Sequence, residues 1–151
     1  MPDVLCLKTV TMANVREACR LWVRPDQEKY VAPVAVSLAE AYTQPTVAWP
    51  RLVYAGDRPV AFVMGGFDPD GPRDFFRAGI CRLNVAAEHQ GRGYGRFAVL
   101  GVMDEARRRG YGRVTVLWMP GRDGPEGFYL RLGFRPTGQR FHGQVVAALL
   151  V

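Results

Sequence analysis

The stretch "CRLNVAAEHQGRGYGR", residues 81–96, decides how this chain is read. A strand-like run, "FRAGICRLNVAA" at 76–87, leads into glycines at every second position, 91, 93 and 95. A helical pattern follows from Gly93 to Arg109, with Val99, Leu100, Met103 and Ala106 on one apolar face. A helix N-terminus leaves backbone N–H groups unpaired at the positive end of its dipole, which suits an anion wherever the chain lets one approach. Glycines allow that approach, and Arg92 and Arg96 would add charge. A tight, glycine-assisted helix start explains the same residues, so both readings stand at this point. A Walker A loop needs Gly-Lys-Ser/Thr, and the stretch holds no lysine. A dinucleotide fingerprint would need glycine where Arg96 stands and a place in a first βαβ unit.

Working outward, residues 3–11 read as an opening strand and 12–23 as a helix spaced through Val15, Cys19 and Trp22. Pro25, Pro33, Pro45 and Pro50 punctuate the next segment, which encloses "SLAEAY". There Ser37 and Glu40 match a capping box and predict a short helix over 37–43. Two strands, 51–55 and 59–67, flank a turn at Gly56 and Asp57. Beyond the glycine loop and its helix lie a strand at 113–119, a helix in "GPEGFYLRLGF" ending at Gly133, and a last strand at 143–151. This order, without repeat or linker, predicts one α/β domain over 1–151, a mixed sheet with helices packed on it.

Composition narrows the function classes. The chain has 151 residues, 48% apolar and 23% charged, as expected of a folded globular domain. No run approaches a membrane span, and "MPDVLCLKTV" lacks the features of a signal peptide, so a cytoplasmic protein is expected. Cys6, Cys19 and Cys81 have no metal-ligand spacing, and the two histidines, His89 and His142, stand far from them; no metal is expected. The net charge is +6 and rests almost wholly on arginine, yet basic and aromatic residues are not interleaved on one element as a nucleic-acid binder would need. The densest run, Arg107–Arg109, suits the C-terminal end of a helix dipole.

Gln90-x-x-Gly93-x-Gly95 after "CRLNV", then a long helix, a strand and "FYLRLGF", resembles the GCN5-related N-acetyltransferases over nearly the whole chain. The resemblance implies the acyl-CoA N-acyltransferase fold, a mostly antiparallel sheet flanked by helices, and transfer of acetyl from acetyl-CoA to an amine. It implies that Gln90, Gly91, Arg92, Gly93, Tyr94, Gly95 and Arg96 hold the cofactor pyrophosphate. It further implies that Leu83, Asn84 and Val85 hold the pantetheine arm, with the Val85 N–H a donor to the developing oxyanion. Tyr129 matches the general acid that protonates the departing thiolate. Many relatives carry a glutamate on the strand before the loop where this chain has Cys81 and Arg82, leaving Glu28, Glu40 and Glu126 as candidate bases.

The segment 26–42, "YAGDRPVAFVMGGFDP" and "LGFRPTG" are similar to the bacterial spermine/spermidine (diamine) acetyltransferase-like branch. That implies a small cationic acceptor with Glu28, Glu40 and Tyr42 at its wall. Gln139, Gln144 and Arg122 depart from the branch, replacing two acidic positions and an asparagine. An amino acid, an antibiotic amine or a protein N-terminus therefore remains open as acceptor, as does a non-catalytic acyl-CoA-binding module. Dimers are common in the family, and the apolar final strand could pair at an edge.

Overall fold

A computed structural model describes residues 3–151. Seven strands form one sheet in the order β1-β2-β3-β4-β5-β7-β6. They are β1 (Leu5–Lys8), β2 (Ala48–Ala55), β3 (Arg58–Phe67), β4 (Ala78–Val85), β5 (Arg113–Trp118), β6 (Arg135–Phe141) and β7 (Gln144–Leu150). Every neighbouring pair is antiparallel except β4 and β5. The helices are α1 (Val15–Ala18), α2 (Val34–Thr43), α3 (Tyr94–Arg108) and α4 (Glu126–Leu132), with a 3-10 segment at Pro25–Tyr30.

Strand β3 explains the layering. From Pro59 to Phe67 every residue is buried, as expected of a strand covered on both faces. Val53, Val63, Val99, Val102, Val114 and Phe134 belong to the larger of two apolar clusters, in which α3 takes part. Leu52, Tyr54, Phe62 and Met64 belong to the second, with Ala18, Leu21 and Val34. The alternation along β2 and β3 thus feeds two cores on opposite faces. Gly56, at φ +62°, makes the turn between β2 and β3 as expected.

Several expected elements differ. The helix expected over 12–23 is α-helical only over Val15–Ala18, and Trp22 is exposed. Asn14 ties the chain back on itself through Thr11 N–H and the Thr9 carbonyl, and the Trp22 carbonyl accepts the Ala87 N–H, so the backbone cannot continue as a helix. Helix α2 starts one turn earlier than Ser37, directly after Pro33. No capping box forms there: Ser37 lies fully buried inside the helix, and Glu40 pairs with Arg82 instead. The packed face of α3 is Gly95, Ala98, Val99, Val102, Met103 and Ala106, with Leu100 outside it. Strand β6, which the sequence pattern misses, is an exposed edge interrupted by Pro136 and Gly138. Pro50 sits inside β2 but beyond the four residues that β1 pairs, where a missing N–H costs nothing. The arginines at 107–109 pair with Asp104 and Glu105 on their own helix.

The feature that positions the site is the junction of β4 and β5. Their parallel pairing is limited to Gly79 with Thr115 and Ile80 with Val116. The β3–β4 register then slips, Met64 facing Arg82 and Gly65 facing Ile80, which leaves Cys81 as the bulged residue. From there β4 parts from β5. At the junction Thr115 is buried and its hydroxyl donates to the Phe75 carbonyl at 2.5 Å. A Cβ on Gly79 would lie 2.8 Å from Thr115 Oγ1 and 2.9 Å from its carbonyl oxygen. Gly79→Ala should therefore destabilise the fold by about 2 kcal/mol, read as a lower urea midpoint. An unchanged midpoint would show that the junction is not tightly packed.

Candidate active site

Where β4 and β5 diverge, a cleft of about 1240 Å³ opens. Its walls are Ile80 to Leu83 and Val85 from β4, and Val116 to Trp118 with Met119 from β5. The glycine loop and the first turn of α3 form one end, α4 adds Phe128, Tyr129 and Arg131, and residues 24–33 pass along the side.

At the loop end, Gly91 and Gly93 adopt φ +78° and +86°, a region that side-chain-bearing residues rarely enter, and a Cβ on either would meet open space. Gly93 is the N-cap of α3. Gly95 has a different reason: a Cβ there would press on the Phe128 ring at 3.1 Å, so it allows α3 to pack on α4. Among the described residues, the amides of 91 to 96 have no hydrogen-bond partner in the protein. Successive N–H groups without a protein partner at a helix N-terminus, beside Arg96, are an arrangement that can receive an anion. Gln90 behaves otherwise. Its side-chain amide donates to the Val85 carbonyl at 3.0 Å and to Gln27 Oε1 at 2.7 Å, and its oxygen accepts from Gln27 Nε2 at 3.3 Å. It fastens the loop to the end of β4 and to the 25–30 segment.

On β4, Leu83 and Val85 border the cleft, whereas Asn84 alternates away from it, buried, and donates to the Ala32 carbonyl at 3.0 Å. Since Ala86 N–H donates to Val60 of β3, the preceding Val85 N–H points to the other edge, toward the divergence from β5.

Tyr129 projects from α4 into the cleft wall and is 5% exposed. Its ring stacks on Trp118 at 5.8 Å and 6° between planes, and meets Phe128 and Phe134 edge-on. Gly133, at φ +106°, ends the helix, and Phe134 N–H returns to the Tyr129 carbonyl. Burial among these rings pushes the phenol pKa upward, so it is held in its protonated form.

Of the carboxylates that could act as base, Glu28 borders the cleft, while Glu40 and Glu126 do not. Glu40 accepts from Arg82 at 3.0 Å, and Arg82 itself faces the cleft. Tyr42 is 87% exposed on the outer side of α2 and borders a separate depression with Val10, Val15 and Leu38. The three residues expected around a polyamine are thus not brought together. Sequence reasoning passed over Gln27, Tyr30 and Trp118. Tyr30 packs its hydroxyl against Gly121 in the β5–α4 loop, a contact between distant segments that no local pattern signals. No cluster of three or more potential metal ligands occurs among the described residues, and none of their helices is long and apolar enough to cross a membrane.

The geometry agrees with comparison to known proteins. The chain is similar over its full length to an acetyltransferase from Thermus thermophilus, with a TM-score of 0.75 at 19% identity and complete coverage of both chains. The ribosomal-protein-S18-alanine N-acetyltransferase from Escherichia coli matches at TM-score 0.70 and 15% identity, covering 98% of this chain and 94% of that one. The PaiA N-acetyltransferase from Thermoplasma acidophilum, solved with coenzyme A, matches at 0.70 and 11%, covering 98% and 99%. No protein of curated function matches in sequence. The model of the acetyltransferase (GNAT) family matches residues 10–134, and with its parted strands, glycine loop and mostly antiparallel sheet this chain belongs to that family of acetyl-CoA-dependent N-acetyltransferases.

Proposed function

We propose that this enzyme acetylates the primary amine of an amino acid or of a peptide N-terminus, rather than a polyamine. The observation that carries the choice of acceptor is the charge of the cleft. Arg24, Lys29, Arg82, Arg96, Arg122 and Arg131 border it, against Glu28 and Asp123 alone. The phosphates of coenzyme A account for cations near the loop, but an acceptor carrying several ammonium groups would meet repulsion with few carboxylates to offset it. The reading is supported by solved proteins of this fold described as a ribosomal-protein-S18-alanine N-acetyltransferase and as an acetyl transferase that modifies the N-terminal serine of L7/L12. The small-molecule polyamine implied by resemblance has less support here, because Glu40 is engaged by Arg82 and Tyr42 faces elsewhere.

The residues present suit acetyl-CoA. The free amides of 91 to 96, with Arg96, would hold the pyrophosphate, and the open space over Gly91 and Gly93 leaves room for it. Leu83 and Val85 would line the arm along the unpaired edge of β4. When bound, acetyl-CoA supplies an activated thioester, so no covalent acetyl-protein is required and no cysteine has to act. The Val85 N–H, which points away from β3 into the gap, would be a preorganised donor to the carbonyl oxygen as negative charge grows there. Glu28 removes the proton from the incoming ammonium, directly or through water, and Tyr129 delivers a proton to the leaving sulfur. The neutral aromatic cage keeps that proton in place until it is needed.

Thiol release measured with acetyl-CoA and a panel of amines tests the acceptor class. Free amino acids or short peptides should turn over faster than spermidine; preference for spermidine would reverse the choice, and binding of acetyl-CoA with no turnover for any amine would favour a non-catalytic module. Tyr129→Phe should lower kcat about 100-fold with acetyl-CoA affinity nearly unchanged. Because the phenol pKa is raised, the wild-type rate should show no fall from loss of this proton up to about pH 10, the ordinary tyrosine value. An unaltered rate in the variant would remove Tyr129 from the mechanism.

A matched pair of substitutions isolates the phosphate role of the loop. Gly93 and Gly110 bracket α3 with φ of +86° and +87°, and an added methyl group at either would have nothing within 4 Å. Alanine at either position should cost about 1 kcal/mol of stability from the left-handed backbone alone. Only Gly93→Ala should also weaken coenzyme A binding, by about tenfold or more, measured by calorimetry. Equal affinity in the two variants would place the pyrophosphate elsewhere.

A further inference from the structure

Gly121 and Gly124 form the two ends of a turn in the β5–α4 loop, the Gly124 N–H donating to the Gly121 carbonyl at 3.2 Å. Neither has a positive φ, so the backbone there would admit other residues. What excludes a side chain is Tyr30. A Cβ on Gly121 would overlap the Tyr30 hydroxyl and lie 2.9 Å from Cζ, and one on Gly124 would lie 3.2 Å from Cε1. The ring is thus seated across both ends of the turn, with the Lys29 ammonium 5.4 Å from its centroid. This contact crosses the cleft. The Pro25–Tyr30 segment is fastened to the β4 side, where Gln90 donates to Gln27 at 2.7 Å and, just past the segment, Asn84 donates to the Ala32 carbonyl at 3.0 Å. The turn follows β5, which pairs with β4 only as far as Val116. Tyr30 therefore joins two rims that the parted strands leave separate, and segment and turn both border the cleft, together with Glu28 and Tyr129.

We propose that Tyr30 is a specificity-determining residue whose ring bounds the acceptor's passage to Tyr129, so that amines with a small neighbouring group are favoured. The proposal rests on the amino-acid or peptide acceptor put forward above. On that reading the phosphates of the cofactor take the free amides of the loop and its arm follows β4, which leaves the space between the Pro25–Tyr30 segment and the turn for the acceptor. Glu28, the carboxylate that would receive the amine's proton, is carried by the same segment. An aromatic ring suits a barrier of this kind because it fills space with only two rotatable bonds to hold still. A bulky group beside the amine would have to unseat the ring from the turn and lose that packing, whereas a methyl group would not. Two glycines where the backbone requires none leave the loop more conformational freedom than it needs, and the seat they give Tyr30 is what explains them.

The test uses the whole chain, acetyl-CoA and a pair of short peptides that differ only in their first residue, alanine or phenylalanine. The wild type should favour the alanine-led peptide in kcat/KM by roughly tenfold or more. Tyr30→Ala should bring the ratio close to unity by raising kcat/KM for the phenylalanine-led peptide. Gly121→Ala should do the same although it leaves Tyr30 in place, because its methyl group occupies the seat of the ring. Tyr30→Phe, which keeps the ring, should select as the wild type does. Combining Tyr30→Ala with Gly121→Ala should add nothing to either alone, since both act on one contact. Coenzyme A affinity, read by calorimetry, should stay at the wild-type value throughout, which separates a change of selectivity from general damage. A wild type that favours the phenylalanine-led peptide overturns the proposal, as does a ratio unmoved in Tyr30→Ala and Gly121→Ala. So does a loss of both peptide rates in parallel with coenzyme A affinity, which would make Tyr30 a support of the fold alone. If the wild type acetylates spermidine but no amino acid or peptide, the acceptor reading fails and this proposal falls with it; peptides turned over with unmoved selectivity remove this proposal alone.

Discussion

Two residue pairs, Gly79 with Thr115 and Ile80 with Val116, hold the two halves of the sheet together through a parallel junction. Were the pairing longer, the edges of β4 and β5 would satisfy each other and no cleft would exist. Were it absent, the halves would have no shared ladder. The bulge at Cys81 ends the pairing, and the absence of a side chain at Gly79 permits the close approach that makes so short a junction firm. The site follows from that geometry: an unpaired strand edge on β4, aromatic rings beneath β5, and a helix N-terminus across the opening.

The two ends of the cleft use different physics. At the loop, the groups able to receive an anion are oriented backbone dipoles, with Arg96 adding charge that salt can screen. Around Tyr129 the surroundings are apolar rings, and what matters is which proton stays bound. One end presents unpaired amides while the other keeps a phenol neutral, and the parted strands place both on one continuous cleft. The walls between them carry more cations than carboxylates.

The local features of the sequence were legible where a single residue type answers a single backbone need. Gly93 at the start of α3, Gly133 at the end of α4 and the turn at Gly56 were all readable, because positive φ leaves few alternatives. Elements that depend on distant partners were not. β6 has Pro136, Gly138 and solvent on most of its length, so it lacks the alternation by which strands are recognised, and it exists because β7 offers it a ladder. Ser37 and Glu40 carry the spacing of a capping box, but Pro33 starts the helix earlier and Arg82, 42 residues away in sequence, takes the carboxylate. The same limit applies in the site. Glycines 91 to 95 announce themselves, while the buried side chains of Trp118 and Asn84 follow from strand register that only the assembled sheet fixes, and the exposure of Tyr42 follows from how α2 packs on that sheet.

The amide pair between Gln27 and Gln90 joins residues 63 apart in sequence and connects the wall that carries Glu28 and Tyr30 to the loop that precedes α3. Both N–H groups of the Gln90 amide are engaged, one by Gln27 and one by the Val85 carbonyl, so a shift of either partner breaks a bond that water would have to replace. A ligand that shifted the loop would change the free energy of the wall through these bonds, and by reciprocity a ligand that shifted the wall would change the affinity of the loop by the same factor.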